Sequence, residues 1–252
     1  MEIRRFVGGL GWLVAFFACA SGPPAAAQAA AVTAEVSVLR PGSGGHQRGA
    51  ANRTDESQVV VWLTPLDAPA AEDPATPAAA KTPELVQRNK SFEPHILVVQ
   101  VGSLIQFPNK DPFFHNIFSM YDGKRFDLGL YEAGTSRSVR FDRPGVSFLF
   151  CNIHAEMSAV VVVVDAPYFA MSDRTGRVTI PNVPDGRYQM HVWYERSLPE
   201  NLKGLSRVVT ISEKTRGLGA IRVVDNPNFT IAHKNKYGED YVPPPTQGYE
   251  HP

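Results

Sequence analysis

The chain lacks the features that mark several broad classes of protein. It carries only two cysteines in 252 residues, and its 25 Lys+Arg balance 25 Asp+Glu to a formal net charge of zero. With no basic stripe and no polybasic cluster, neither nucleic-acid binding nor attachment to an anionic membrane surface is indicated. No long segment repeats its apolar residues at helical spacing. The longest apolar run, Phe6 to Ala20, is too short to span a bilayer comfortably.

That run is informative in another way. Arg4-Arg5 precede it, and Pro23-Pro24 and the small residues around Ala27-Gln28-Ala29 follow it. A basic start, an apolar core and a small-residue end make a secretory signal, so residues 1–29 are read as an export signal and the mature chain as periplasmic or secreted, with no transmembrane span. Cys19 offers a second route, as a lipoprotein acceptor, but Phe16 stands three residues before it where Leu is usual. Removal of the signal leaves Cys151 as a lone thiol in an oxidising compartment. No disulfide can then form within the chain, and such a thiol is protected only by burial or by a metal. The remaining length of about 220 residues fits one large or two small domains.

The rest reads as strands. Val32–Leu39 and Gln58–Leu63 flank a Gly-rich turn at Pro41 to Gly49. A stretch rich in Ala, Pro and acidic residues, spanning 67–83, has no periodicity and reads as a surface loop. Strand signals return at Glu84–Arg88, Ile96–Gln100, Ser103–Phe107, Arg137–Phe141, Val146–Cys151 and Ser158–Val164. The fold class is all-β.

Between the last two strands lies Cys151-Asn-Ile-His154-Ala-Glu-Met157, which puts a thiol, an imidazole and a thioether within one short loop. Soft sulfur donors beside imidazole suit copper, and two His with one Cys and a weak axial Met form the electron-transfer arrangement. The second His is offered by Asn109-Lys-Asp-Pro-Phe-Phe-His115-Asn116, one hairpin earlier. Three other readings compete. A lone Cys near a His is often just a small buried hydrophobe, but that leaves His115 and Met157 to coincidence. Zinc would give Met157 no purpose. A Cys/His nucleophile needs an oriented base and an oxyanion site, which nothing nearby supplies.

The order Asn…His-Asn followed by Cys-x-x-His-x-x-Met after an aromatic strand resembles the cupredoxins, blue copper proteins of the amicyanin and plastocyanin type. The resemblance covers roughly Phe92 to Asp165. It implies a Greek-key β-sandwich holding one type 1 copper ion, with His115, Cys151 and His154 in the trigonal plane and Met157 axial. It also implies that Asn116 ties the two ligand loops together and that the edge of His154 is the electron port. Pro112, Phe113, Phe114 and Ala155 would form an apolar collar around that port for a redox protein partner, although Phe113 and Phe114 could equally be core residues.

Beyond Asp165 the sequence resembles the small transthyretin-like or carboxypeptidase-regulatory β-sandwich, through Asp173, Gly176, Val183, Pro184, Gly186 and Tyr188. The organisation is therefore a signal (1–29), N-terminal strands (30–66), the loop (67–83), a cupredoxin domain (84–165), a transthyretin-like module (166–225) and a tail (226–252). About sixty residues are few for a complete sandwich, so strands 30–66 belong either to the copper domain or to the second module. The tail, rich in Pro and Tyr, reads as poorly ordered and remote from the metal. Among the other histidines, His95 and His191 read as structural, and His46, His233 and His251 as solvated.

These expectations favour an electron carrier over an enzyme, since copper oxidases and reductases need further His-rich centres such as His-x-His pairs. The alternative is copper storage or delivery, or an interaction protein without redox turnover.

Overall fold

The computed structural model describes residues 29–41, 55–67, 82–120 and 123–241. The segment read as an export signal, with Cys19, most of the 67–83 stretch, His46, His251 and the last part of the tail lie outside the described residues. The architecture is all-β.

Two strands open the chain, β1 (Ala30–Leu39) and β2 (Val60–Pro65). Nine follow in the middle: β3 (Val86–Arg88), β4 (Ser91–Glu93), β5 (Ile96–Gln100), β6 (Leu104–Pro108), β7 (His115–Ser119), β8 (Phe126–Tyr131), β9 (Ser136–Arg140), β10 (Gly145–Phe150) and β11 (Ser158–Val164). The chain closes with β12 (Tyr168–Met171), β13 (Arg177–Val183), β14 (Gly186–Trp193), a short helix α1 (Pro199–Lys203), β15 (Arg207–Ile211) and β16 (Gly217–Val224).

Strand pairing divides these elements into two nested units. In the outer unit, β13, β1 and β16 form one sheet and β12, β2, β14 and β15 another. One core lies between them, built from inward residues such as Val36, Leu63, Ile180, Met190 and Val223. The N-terminal strands thus pair with the C-terminal ones. Leu63 stands opposite Tyr168 and Trp62 opposite Phe169 in the antiparallel pair of β2 and β12. Everything between them is inserted into this outer sandwich.

The Asp173 turn shows why its residue types are needed. Asp173 Oδ1 accepts hydrogen bonds from the N–H groups of Thr175 and Arg177. Gly176 has φ of +82°, and a Cβ there would meet the Val36 carbonyl at 2.1 Å, so only glycine lets the turn approach β1. Farther on, the Tyr188 hydroxyl donates to the Pro184 carbonyl at 2.9 Å and closes the second turn.

The inserted unit centres on a five-stranded sheet in the order β5–β11–β10–β7–β8, with β6–β9 and β3–β4 as two-stranded ribbons. Its core gathers Leu85, Phe107, Ile117, Phe141, Leu149 and Val161, and it also contains Cys151 and Met157. Strand β11 explains its own sequence. Ala159, Val161 and Val163 face this core, while Val160, Val162 and Val164 face a third cluster shared with Val60, Trp62, Phe169 and Trp193 of the outer unit. A strand covered on both faces has no need of polar alternation, hence the unbroken valines.

Polar links reinforce that junction. The His95 ring contacts Glu195 Oε2 through Nε2 at 2.8 Å and the Ser158 carbonyl through Nδ1 at 3.1 Å. The Thr64 hydroxyl donates to Asp165 at 3.2 Å. Within the outer sheet itself, His191 of β14 stacks on Trp62 of β2 with ring centroids 4.8 Å apart. The described residues include no helix long and apolar enough to cross a membrane.

Candidate metal centre

The loop 151–157 is pinched at its neck by the last pair of the β10–β11 ladder, Phe150 opposite Ser158. Inside the neck, Cys151 N–H donates to the Met157 carbonyl at 3.2 Å and Met157 N–H to the His154 carbonyl at 3.1 Å. Two backbone bonds across seven residues curl the loop inward. Cys151 and Met157 are both fully buried, so the aromatic strand and the valine strand deliver both sulfur atoms to the top of the core.

Strand β7 lies beside β10, with Phe118 opposite Phe150, and His115 is its first residue. All five residues of that strand are buried. This positions His115 Nδ1 3.8 Å from Cys151 Sγ, while His154 Nδ1 lies 3.6 Å from the same sulfur. The donor atoms of His115, Cys151 and His154 all fall within 4.8 Å of one another.

Asp111 is the residue that sequence reasoning missed. Its Oδ2 lies 2.7 Å from His115 Nε2, and both side chains are buried. A carboxylate accepts, so Nε2 carries the proton and Nδ1 turns its lone pair toward Cys151. Asp111 is itself held by the N–H groups of Asn89 at 2.6 Å and Lys90 at 2.9 Å. Burial pushes its carboxyl up, but those bonds and the one to His115 outweigh it, leaving its pKa below the usual carboxylate value. The signal available in sequence was an Asp four residues before the His, a spacing too common to single out.

Asn109 braces the same loop, its Nδ2 donating to the Phe113 carbonyl at 2.8 Å and its Oδ1 accepting from Asp111 N–H at 3.1 Å. Asn116 spans the two loops. Its Oδ1 accepts from Asn152 N–H at 3.3 Å, its Nδ2 donates to Asp127 Oδ1 at 2.7 Å, and its backbone N–H bonds Cys151.

The electrostatics suit neutral ligands. Burial, and then the neighbouring His115, pull His154 below the ordinary histidine value. Burial pushes the Cys151 thiol up against the opposing bonds from Asn116, Ile153 and His154. The thiol therefore keeps its proton until a cation displaces it, and a coordinated thiol is deprotonated outright.

His154 is half-buried, and Pro112, Phe113, Phe114 and Ala155 are exposed. Phe113 leans on both rings, 5.1 Å from His115 and 5.8 Å from His154. Phe113 and Phe114 are thus surface residues rather than core. Ile153, 46% exposed, lies on the same loop beside His154 and was not singled out from sequence.

Residues 226–241 depart from the expected loose tail. His233, taken from sequence as solvated, stacks on Phe150 with centroids 3.7 Å apart and contacts the Ala155 carbonyl at 3.1 Å. It is not one of the three clustered donors. Tyr241 O–H donates to the Cys151 carbonyl at 2.7 Å.

No family model matches the chain, and no curated protein matches it. Solved structures match parts of it. A Cu-containing nitrite reductase from Thermus scotoductus SA-01 shares 21% identity at a TM-score of 0.33 over 34% of this chain, which spans only 23% of that enzyme. A purple cupredoxin from Nitrosopumilus maritimus shares 22% at a TM-score of 0.30, over 32% of this chain and 99% of its own. An amicyanin variant in its Cu(I) form shares 19% at a TM-score of 0.32, over 41% and 98%.

Proposed function

We propose that the inserted unit binds one copper ion through His115, Cys151 and His154, with Met157 as a weak fourth donor, and that the protein is an exported one-electron carrier. The observation that carries this reading is the cluster of two imidazoles and a thiol within 4.8 Å, beside a buried methionine. The separations fit a shared ion. Bonds of about 2.0–2.3 Å at trigonal or tetrahedral angles leave N and S donors about 3.6–3.8 Å apart, and the two N···S distances here are 3.8 and 3.6 Å. Two His, one Cys and a nearby Met favour copper over zinc, because the thioether is a ligand zinc sites do not use.

Bound there, copper would take up and return one electron. The chain's own part is to keep that exchange free of rearrangement. Asp111 orients His115, Asn116 holds Cys151, and the buried core excludes water from the sulfur. The exposed edge of His154, ringed by Pro112, Phe113, Phe114 and Ala155, is the route to a redox protein partner, and an apolar patch this small suits brief contacts. The outer sandwich, transthyretin-like in its Asp173 and Tyr188 turns, serves as the mount. The lone thiol, buried in the core, suits an oxidising compartment.

The test is the absorption spectrum of the purified protein on addition of Cu(II). An intense thiolate-to-copper band with one ion per chain, reversible on reduction, is expected. A colourless complex, or preference for zinc in competition, would overturn the reading; copper handed irreversibly to an acceptor would favour delivery instead.

A further inference from the structure

Four residues near the ligands form a closed circuit of hydrogen bonds. Asn152 N–H donates to Asn116 Oδ1 at 3.3 Å, and Asn116 Nδ2 donates to Asp127 Oδ1 at 2.7 Å. Lys236 Nζ donates to Asp127 Oδ2 at 2.7 Å, and Lys236 N–H returns to Asn152 Oδ1 at 3.0 Å. Three members belong to the inserted unit; Lys236 comes from the end of the outer one. Asn116 and Asn152 each directly follow a proposed ligand, so the circuit ties His115 and Cys151 to the same polar ring.

The same C-terminal segment makes two more contacts with the ligand loop. Tyr241 O–H donates to the Cys151 carbonyl at 2.7 Å, complementing the bond from Cys151 N–H to Met157. Both backbone polar groups of Cys151 are therefore pinned. His233 lies flat on Phe150, the residue before Cys151, and reaches the Ala155 carbonyl at 3.1 Å. Three residues of one segment thus grip the loop, Tyr241 and His233 through their side chains and Lys236 through its backbone N–H, while the Lys236 side chain holds Asp127 against Asn116.

We infer that residues 233–241 act as a strap, with Tyr241 and Lys236 as positioning residues that hold the 151–157 loop in its ligand-ready shape before metal arrives. This rests on the copper reading of the site. The metal centre is then a product of both units, because the outer sandwich supplies the last groups that orient it. Preformed geometry matters most where a metal must change oxidation state without moving its ligands.

Tyr241→Phe and Lys236→Met in the full-length chain provide the test, read first in the metal-free protein by amide hydrogen exchange. Loss of one such bond should speed exchange of the 151–157 amides about two- to tenfold while amides of the outer sandwich keep their wild-type rates. On copper loading, both variants should show a shifted charge-transfer band or altered copper hyperfine coupling. Unchanged exchange in both variants, acceleration spread over the whole chain, or local acceleration with an unaltered copper signature would each overturn the strap. If the copper reading itself fails, wild type also lacks the charge-transfer band, and the exchange measurement alone decides.

Discussion

Asp111 and His115 form a buried carboxylate–imidazole pair, 2.7 Å from oxygen to Nε2, and the pair sets which ring nitrogen points at Cys151. Removing the carboxylate should release the ring. We predict that Asp111→Ala lowers copper affinity about 10- to 100-fold, measured by competition with a chelator of known affinity. It should also cost about 1–3 kcal/mol of folding stability, since the Asn89 and Lys90 N–H groups lose their acceptor. Wild-type affinity in this variant would mean that His115 is oriented by packing alone.

Cys151→Ser should abolish the charge-transfer band, because the thiolate is its source. Met157→Leu should keep the band and raise the reduction potential, since a weak axial donor favours Cu(II) over Cu(I) and leucine donates nothing. Voltammetry and absorption on the two variants check both. Complete loss of copper from Met157→Leu would show that the methionine is a principal ligand.

His95 gives the junction between units a pH dependence. Both ring nitrogens face acceptors, Glu195 and the Ser158 carbonyl, an arrangement that only the imidazolium satisfies fully. The hydrogen bond that the ring donates to the Glu195 carboxylate raises its pKa above 6.5, against the opposing effect of burial. Because the folded-state value is raised, the stabilisation is complete below 6.5 and is lost as pH rises from there through the higher folded-state value. Melting temperature should therefore fall on going from mildly acidic to mildly alkaline pH. In Glu195→Gln the part of that fall due to His95 should shrink; an identical pH profile would remove the pair from the account.

Val161 and Val162 are adjacent yet serve different cores, the first facing the inserted unit's interior and the second the outer sandwich. Val162→Ala should cost about 1.5–2.5 kcal/mol by chemical denaturation and leave the copper spectrum unmoved. A shifted spectrum would mean that the junction is mechanically coupled to the ligands.

The difference between those valines also marks how far sequence reading reaches. The run Ser158–Val164 is legible as a strand, and its unbroken hydrophobicity hints at cover on both faces; what supplies the second cover is a long-range fact. The ligand loop is legible because Cys151, His154 and Met157 are local in sequence. Asp111 is local too, but its role depends on the burial of His115 in β7, which only the packing of that strand beside β10 brings about. Strand β8 escaped as well, since its burial is partial and Gly129 interrupts it. The strap escaped because it needs no apolar periodicity. It is held by side chains reaching backbone carbonyls and by one ring stack, and such contacts leave no repeating pattern.

The pairing of Leu63 with Tyr168 and Trp62 with Phe169 makes β2 and β12 the two arms of a hairpin whose loop is the whole inserted unit. Chain closure around an unfolded insertion of residues 66–167 would cost the host about 3 kcal/mol more than around a four-residue turn. An ordered insertion removes much of that entropic load. Anything that tightens the insertion, a bound metal included, therefore also tightens strands that never approach the ligands. The host's melting point becomes a distant reporter of whether the loop between its hairpin arms is filled.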